Sequence, residues 1–159
     1  MTLEEQDRSR WDRSQIAEAA ALLAAARRRG RDGPYLLQAQ IAACHATATM
    51  AAATDWAQIA VLYERLGNLT PSPVIELNRA VAIAMADGPA AGLDLLAALE
   101  AAGTLAGYHL LPAIRADLLR RLGRGAEAAV AYREAHSLAV NQAEQRFLAR
   151  RLAEVTGQP

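Results

Sequence analysis

The fold is decided by a stretch near the middle of the chain, TPSPVIELNRAVAIA at residues 70–84. Ser72 and Pro73 are residue types that favour the N-cap and the first position of a helix. The apolar side chains that follow recur at helical spacing, at Val74, Leu77 and Val81. Alanines occupy alternate positions from residue 80 onwards and are small enough for neighbouring helices to approach on more than one face. The stretch therefore predicts a helix in the middle of a helical stack.

The length of the chain, 159 residues, suits one domain with a sizeable buried core. We expect a single domain over residues 1–159, with residues 1–8 as a polar lead-in. Phenylalanine occurs once while alanine is abundant, and this mixture favours helices over strands. The predicted fold class is all-α.

Charge and cysteine content restrict the function further. Lys+Arg and Asp+Glu both number 17, so the formal net charge is zero and the positive charge typical of nucleic-acid-binding domains is missing. We expect no direct DNA binding.

The single Cys44 excludes an internal disulfide and a cysteine-rich metal site, which fits a reducing compartment. The acidic N-terminus lacks a secretory signal, and no apolar run approaches the roughly 20 residues of a membrane span, so we expect a cytoplasmic protein without a membrane partner.

Capping residues, apolar stripes and glycine or proline breaks divide the chain into eight predicted helices. These helices cover approximately residues 11–29, 34–46, 56–66, 73–87, 89–101, 108–122, 126–139 and 143–155. Short polar turns between them favour antiparallel neighbours. In the third helix an apolar stripe is predicted to be core, with Trp56 and Tyr63 substantially buried beside Ile59, Leu62 and Leu66.

Two segments of the chain resemble each other at a spacing of about 37 residues. MADGPAAGL at 85–93 aligns with LGRGAEAAV at 122–130, turn over turn. The segment ADLLRRLGRGAEAAVAYREA at 116–135 resembles the tetratricopeptide pattern. We therefore predict a tetratricopeptide-like helical-hairpin array of about eight antiparallel helices. In its last helix we expect inward-facing apolar residues, namely Phe147, Leu148 and Leu152, and an outward polar cap, namely Gln145, Arg146, Arg150, Arg151 and Glu154.

Catalytic and metal-binding patterns are missing from the sequence. His45, His109 and His136 lie on three different predicted helices without a partner at metal-site spacing, and Cys44 has the apolar neighbours of an inert thiol. The glycine-containing turns lack the strand and lysine of a phosphate-binding loop. We expect no catalytic residue, no metal and no cofactor, and hence a protein that is not an enzyme.

Three residues are candidates for binding a partner. Asn78 and Arg79 are polar exceptions on the most apolar helix, where unpaired polar groups are costly. They either clamp a peptide or carboxylate on the inner surface of the array, or form an internal network in which Arg79 pairs with Glu76 or Asp117. We weigh these two interpretations equally. Trp11 is the third candidate and is expected to pack on the second helix.

Five linked motifs resemble the C-terminal extension found in a group of bacterial extracytoplasmic-function (ECF) type RNA polymerase sigma factors. The motifs are GPYLLQAQIAACHA at 33–46, TDWAQI at 54–59, PSPV with LNRAVA within 71–82, GPAAGL at 88–93, and YHLL with RADLLRRLGR within 108–124. QDRSRWD at 6–12 resembles the junction that leads into that extension. The resemblance implies a tetratricopeptide-like domain that controls the activity of the sigma factor.

The partners implied by this resemblance are the sigma core regions or RNA polymerase. The polymerase-binding and promoter-reading regions of a sigma factor have no counterpart in these residues, so promoter recognition is not assigned to them. The chain is expected to be either a fragment or a stand-alone relative. Two alternatives stay open, namely a domain that senses a small molecule in an apolar cleft and a stand-alone adaptor that binds a peptide.

Overall fold

The computed structural model describes residues 6–30 and 33–157. These residues form eight α-helices, two short 3-10 helices and no strand, which confirms the all-α prediction. The α-helices are α1 (Arg13–Arg28), α2 (Pro34–Thr47), α3 (Trp56–Leu69), α4 (Pro73–Ala86), α5 (Pro89–Ala102), α6 (Leu110–Arg121), α7 (Gly125–Leu138) and α8 (Gln142–Thr156). The 3-10 helices are Arg8–Arg10 and Ala51–Ala53. The predictions that concern residues 1–5, 31–32 and 158–159 lie outside the described residues. Within the described part of the chain, no helix is long and apolar enough to cross a membrane.

Side-chain caps set the start of several helices. Asp12 accepts hydrogen bonds from the backbone N–H groups of Ser14 and Gln15, both at 3.0 Å, and so caps α1. Asp55 caps α3 in the same manner. Ser72 occupies the predicted N-cap of α4, but its side chain makes no capping hydrogen bond. That helix start depends instead on Pro73, whose fixed φ suits the first helical position.

Consecutive helices pack against one another along the chain, as expected of a helical-hairpin array. Three core clusters follow in order, each shared by three neighbouring helices. The first joins α2, α3 and α4, the second α4, α5 and α6, and the third α6, α7 and α8. Helices α4 and α6 start 37 residues apart, at Pro73 and Leu110, which matches the predicted repeat spacing. The core therefore runs from α2 to α8.

Gly92 lets α5 lie close against α4. A Cβ atom at this position would lie 2.5 Å from the Cβ of Ala84 and 3.0 Å from both the Ala80 carbonyl oxygen and Cδ1 of Leu118. All three neighbours belong to the second core cluster. A side chain at residue 92 would therefore force α4, α5 and α6 apart.

Helix α3 buries one side of its predicted stripe more completely than the other. Ile59, Leu62 and Leu66 are buried, whereas Trp56 and Tyr63 are half-buried and pack against the margin of the first cluster. The expectation that both aromatic residues are core is therefore wrong in degree. Trp56 is the first residue of α3, where its ring contacts the His45 ring edge-on at 5.1 Å and leaves one side open.

Helix α8 ends the array with an amphipathic surface. Leu148 is buried, and Phe147 and Leu152 pack against the third cluster, as predicted. Several residues of the predicted polar cap are exposed, namely Arg146, Arg150 and Glu154. Arg151 is half-buried and does not face outward, because it lies in a groove between α8 and α6.

Candidate functional site

A groove with a volume of about 310 Å3 lies where α4, α6 and α8 face one another. These helices alternate along the chain with α5 and α7, so the hairpin topology brings residues far apart in sequence to one surface. We call this surface the α4–α6–α8 groove. Its lining residues are Trp56, Val81, Met85, Ala113, Ile114, Asp117, Leu118, Arg120, Arg121, Tyr132, Phe147, Leu148 and Arg151.

The wall of the α4–α6–α8 groove is largely apolar. Each of the three helices supplies large side chains, among them Met85 from α4, Ile114 from α6 and Phe147 from α8. Trp56 contributes an aromatic edge from the start of α3. Aromatic residues, methionine and arginine are enriched in protein interfaces, and the groove combines all three.

Three arginines give the α4–α6–α8 groove its charge. Arg120 donates to one Asp117 oxygen at 2.6 and 3.2 Å, and Arg151 donates to Glu154 at 2.9 Å. These hydrogen bonds raise the pKa of both guanidinium groups, so both stay protonated. Burial raises the pKa of the Tyr132 hydroxyl beside them, so it stays neutral.

Arg121 differs from the other two arginines of the groove. Its side chain is exposed and contacts the sulfur of Met85 at 2.9 Å. No carboxylate of the described residues forms an ion pair with it. Among residues 6–30 and 33–157, Arg121 therefore places an unpaired positive charge beside an apolar wall, an arrangement that suits a carboxylate next to a hydrophobic side chain.

The two predicted candidates on α4, Asn78 and Arg79, have different surroundings in the structure. Arg79 is bound to Glu76 at 3.1 Å and lies 3.8 Å from Glu64 of α3, so the internal pairing with Glu76 is present. The pairing with Asp117 is absent, because Asp117 binds Arg120. Asn78 is exposed and lies three residues before Val81, on the groove side of α4 but outside the lining residues.

The third candidate, Trp11, takes part in a contact that the sequence did not indicate. Arg8 belongs to the predicted polar lead-in, yet its side chain is buried. Its guanidinium donates to the carbonyl oxygens of His45 and Ala48, both at 2.9 Å, at the C-terminal end of α2. The half-buried Trp11 ring lies 4.9 Å from the Arg8 guanidinium carbon. Arg8 thus links the N-terminal segment to α2, and Trp11 covers that link.

The titratable residues outside the groove do not assemble a reactive site. Burial, with a smaller contribution from Asp55, raises the pKa of the half-buried Cys44 thiol and keeps it protonated. His109 lies 3.2 Å from Glu144 of α8, a long-range contact that no local spacing could reveal. Within the described residues, no group of three or more His, Cys, Asp or Glu side chains is placed to hold a metal ion.

Comparisons with known proteins find one relative of interest. An uncharacterized protein of Rhizobium meliloti (strain 1021) is 43% identical over 157 residues, which is 99% of this chain and 37% of that protein. The chain therefore spans little more than a third of the length of this relative. No family model matches the sequence, and no solved structure matches it.

The sequence singles out a helix that lines the groove, α4, but gives no signal for the groove arginines on α6 and α8. Asn78 and Arg79 stood out because they are polar on an apolar helix. The groove arginines lie in the segment RRLGR at 120–124 and on α8, where arginine is common on helix surfaces. Whether they meet in one groove depends on which helices face each other across two hairpins, and only the packed structure supplies that information.

Proposed function

We propose that this chain is a non-catalytic regulatory domain of the ECF sigma factor type, which acts in the cytoplasm by binding the sigma core or RNA polymerase. The α4–α6–α8 groove carries the proposal, because it joins an apolar wall to Arg121, which forms no ion pair with a carboxylate of the described residues. The choice of partner rests on the five motifs that resemble the sigma factor extension. The bound segment in this proposal carries an acidic side chain next to a large apolar one.

The charge of the chain supports a protein partner over promoter DNA. Its formal net charge is zero, so it lacks the sequence-independent attraction to phosphates that dominates DNA affinity. Two of the three groove arginines are already paired with carboxylates, which removes them from contact with phosphates. We propose that the domain does not bind promoter DNA by itself.

The first prediction tests the groove by charge reversal. Arg121→Glu should weaken binding to the sigma core encoded in the same genome by about tenfold or more, because it places a carboxylate opposite the acidic residue of the partner. Asn78→Ala should weaken binding less. Isothermal titration calorimetry measures both affinities, and a gel-shift assay with promoter DNA tests for direct DNA binding.

The matched control is Arg133→Glu, which reverses an exposed arginine of α7 that does not line the groove. This variant should bind as the wild type does. Equal loss with Arg121→Glu and Arg133→Glu would show a general charge effect and contradict the assignment of the groove. Circular dichroism of all variants checks that the helices persist.

A small-molecule sensor is the alternative to a protein-binding domain. An open apolar cavity of about 520 Å3 between α1 and α2 has the volume of a small-ligand pocket. Thr47 is the one polar residue in its lining, and its hydroxyl already donates to the Ala43 carbonyl at 2.7 Å. Ligand pockets usually offer several polar groups that orient the ligand. The groove therefore supports the protein-binding proposal better than this cavity supports the alternative.

A further inference from the structure

The outer surface of α1 and α2 is an apolar face at the first end of the helical array. Helix α1 contains no buried residue, and Leu22 is 66% exposed. The two helices border the open cavity of about 520 Å3, and seven of its eleven lining residues are alanines. The others are Ile16, Leu22, Leu23 and Thr47. We call this surface the α1–α2 face.

The two ends of the array differ in polarity. Helix α8 exposes charged side chains such as Arg146 and Arg150, as terminal elements of a repeat array usually do. The α1–α2 face offers water almost no polar group. Apolar patches of this kind on protein surfaces commonly mark sites of association.

We propose that the α1–α2 face binds a second copy of this chain. The face carries both halves of a self-complementary contact, since the exposed Leu22 is itself one of the lining residues of a cavity formed mostly by alanines. A two-fold axis would place Leu22 of each copy in the cavity of the other. Large side chains of one helix would then meet small ones of its partner, as knobs meet holes in paired helices.

The charges on α1 favour an antiparallel crossing of the two copies. Arg27, Arg28 and Arg29 are exposed at the C-terminal end of α1, and no ion pair joins them to the described residues. A parallel crossing would bring six arginines together. An antiparallel crossing separates the two arginine groups and places each beside the opposite end of the partner helix. That end is close to neutral, because Asp7, Asp12 and the nearby Glu18 balance Arg8, Arg10 and Arg13, so it repels the partner's arginines less than a second arginine group would.

The size of the α1–α2 face sets the expected strength of the contact. A helix of 16 residues is about 24 Å long, and two helices packed about 9 Å apart give a face of roughly 400 Å2 per copy. The total of roughly 800 Å2 lies below the standard size of specific interfaces. We therefore expect a weak, concentration-dependent dimer.

Sedimentation equilibrium of the 159-residue chain tests the proposal. With a reducing agent present and loading concentrations from about 5 to 500 μM, the average mass of the wild type should rise from 17.0 kDa towards twice that value. Leu22→Glu and Ala42→Glu, both at exposed positions of the α1–α2 face, should stay monomeric with unchanged helical content. Val140→Glu is the control, because Val140 is exposed at the other end of the array.

Three results would overturn this proposal. The first is a wild type that stays at 17.0 kDa over the whole range. The second is a dimer that persists in both Leu22→Glu and Ala42→Glu. The third is a dimer that Val140→Glu dissociates as strongly as these two variants do. Loss of groove binding in the calorimetry experiment does not bear on this result, because Arg121 and Leu22 lie on different helices and different faces.

Discussion

His45 shows how one half-buried side chain links the N-terminal segment, α2 and α3. Its ring packs on Trp56, and its backbone carbonyl accepts a hydrogen bond from Arg8. Burial, and next the nearby charge of Arg8, lower the pKa of His45 below its usual value of 6.5. The unfolded chain therefore takes up this proton at a higher pH than the folded protein.

The second prediction concerns this difference in proton uptake. The stabilisation linked to His45 is present above pH 6.5 and is lost as the pH falls through the lower pKa of the folded state. The free energy of unfolding in urea should therefore decrease between pH 7.5 and pH 5. His45→Phe should reduce this decrease, whereas replacing the exposed His136 by Phe should not. An unchanged decrease in His45→Phe would contradict the assignment to His45.

Gly92 is the residue on which the spacing of α4, α5 and α6 depends most directly. The third prediction is that Gly92→Ala lowers the free energy of unfolding by about 2 kcal/mol or more, because the added methyl group overlaps three atoms of the second cluster. Gly125→Ala is the control, since its new methyl group would meet the Val155 carbonyl oxygen at an ordinary 3.6 Å. The control should change stability by less than about 1 kcal/mol. Equal losses in the two variants, measured by thermal and urea unfolding, would show that the close approach at residue 92 is relaxed at little cost.

At the level of elements, Arg8 holds the 3-10 helix Arg8–Arg10 against the end of α2. Its Nη1 group donates to the carbonyl oxygens of His45 and Ala48, at and just beyond the last turn, where a helix leaves acceptors without partners. The fourth prediction is that Arg8→Ala lowers the free energy of unfolding by about 2 kcal/mol, typical of a hydrogen bond to a charged group. Arg10→Ala, which replaces an exposed arginine of the same 3-10 helix, should change it by less than about 0.5 kcal/mol.

Amide hydrogen exchange distinguishes a local effect of Arg8→Ala near the end of α2 from a general loss of stability. In Arg8→Ala, the amides near the end of α2 should exchange faster than those of α7, because the lost hydrogen bonds are local. A uniform increase over the whole chain would contradict the role of Arg8 as a link between these two elements.

Much of the helical order could be predicted because the signals are local. Asp12 and Asp55 cap helices, and the pair Gly88-Pro89 separates α4 from α5, so short segments determine these boundaries. The different surroundings of the Asn78 and Arg79 side chains also have a local cause. Neighbouring residues of an α-helix point about 100° apart, so this pair does not form one clamp.

The contacts that could not be predicted join residues distant in sequence. Arg8 binds carbonyl oxygens 37 and 40 residues away, and a carbonyl carries no sequence signal. Arg121 and Arg151 meet in one groove because α6 and α8 face each other across the hairpin that contains α7. Surface arginines are common on helices, so composition and spacing do not distinguish these two from solvent-exposed ones.

At the scale of the whole molecule, the proposed function depends on which surface the sigma core contacts. Methyl NMR of the chain labelled at methionine and isoleucine tests this directly, because the probes are spread over the fold. Met85 and Ile114 line the α4–α6–α8 groove, Ile16 borders the α1–α2 face, and Met50 is exposed outside both. On addition of the sigma core, the fifth prediction is that Met85 and Ile114 shift or broaden while Ile16 and Met50 do not. Unchanged Met85 and Ile114 signals in a complex that forms would contradict the groove as the contact surface.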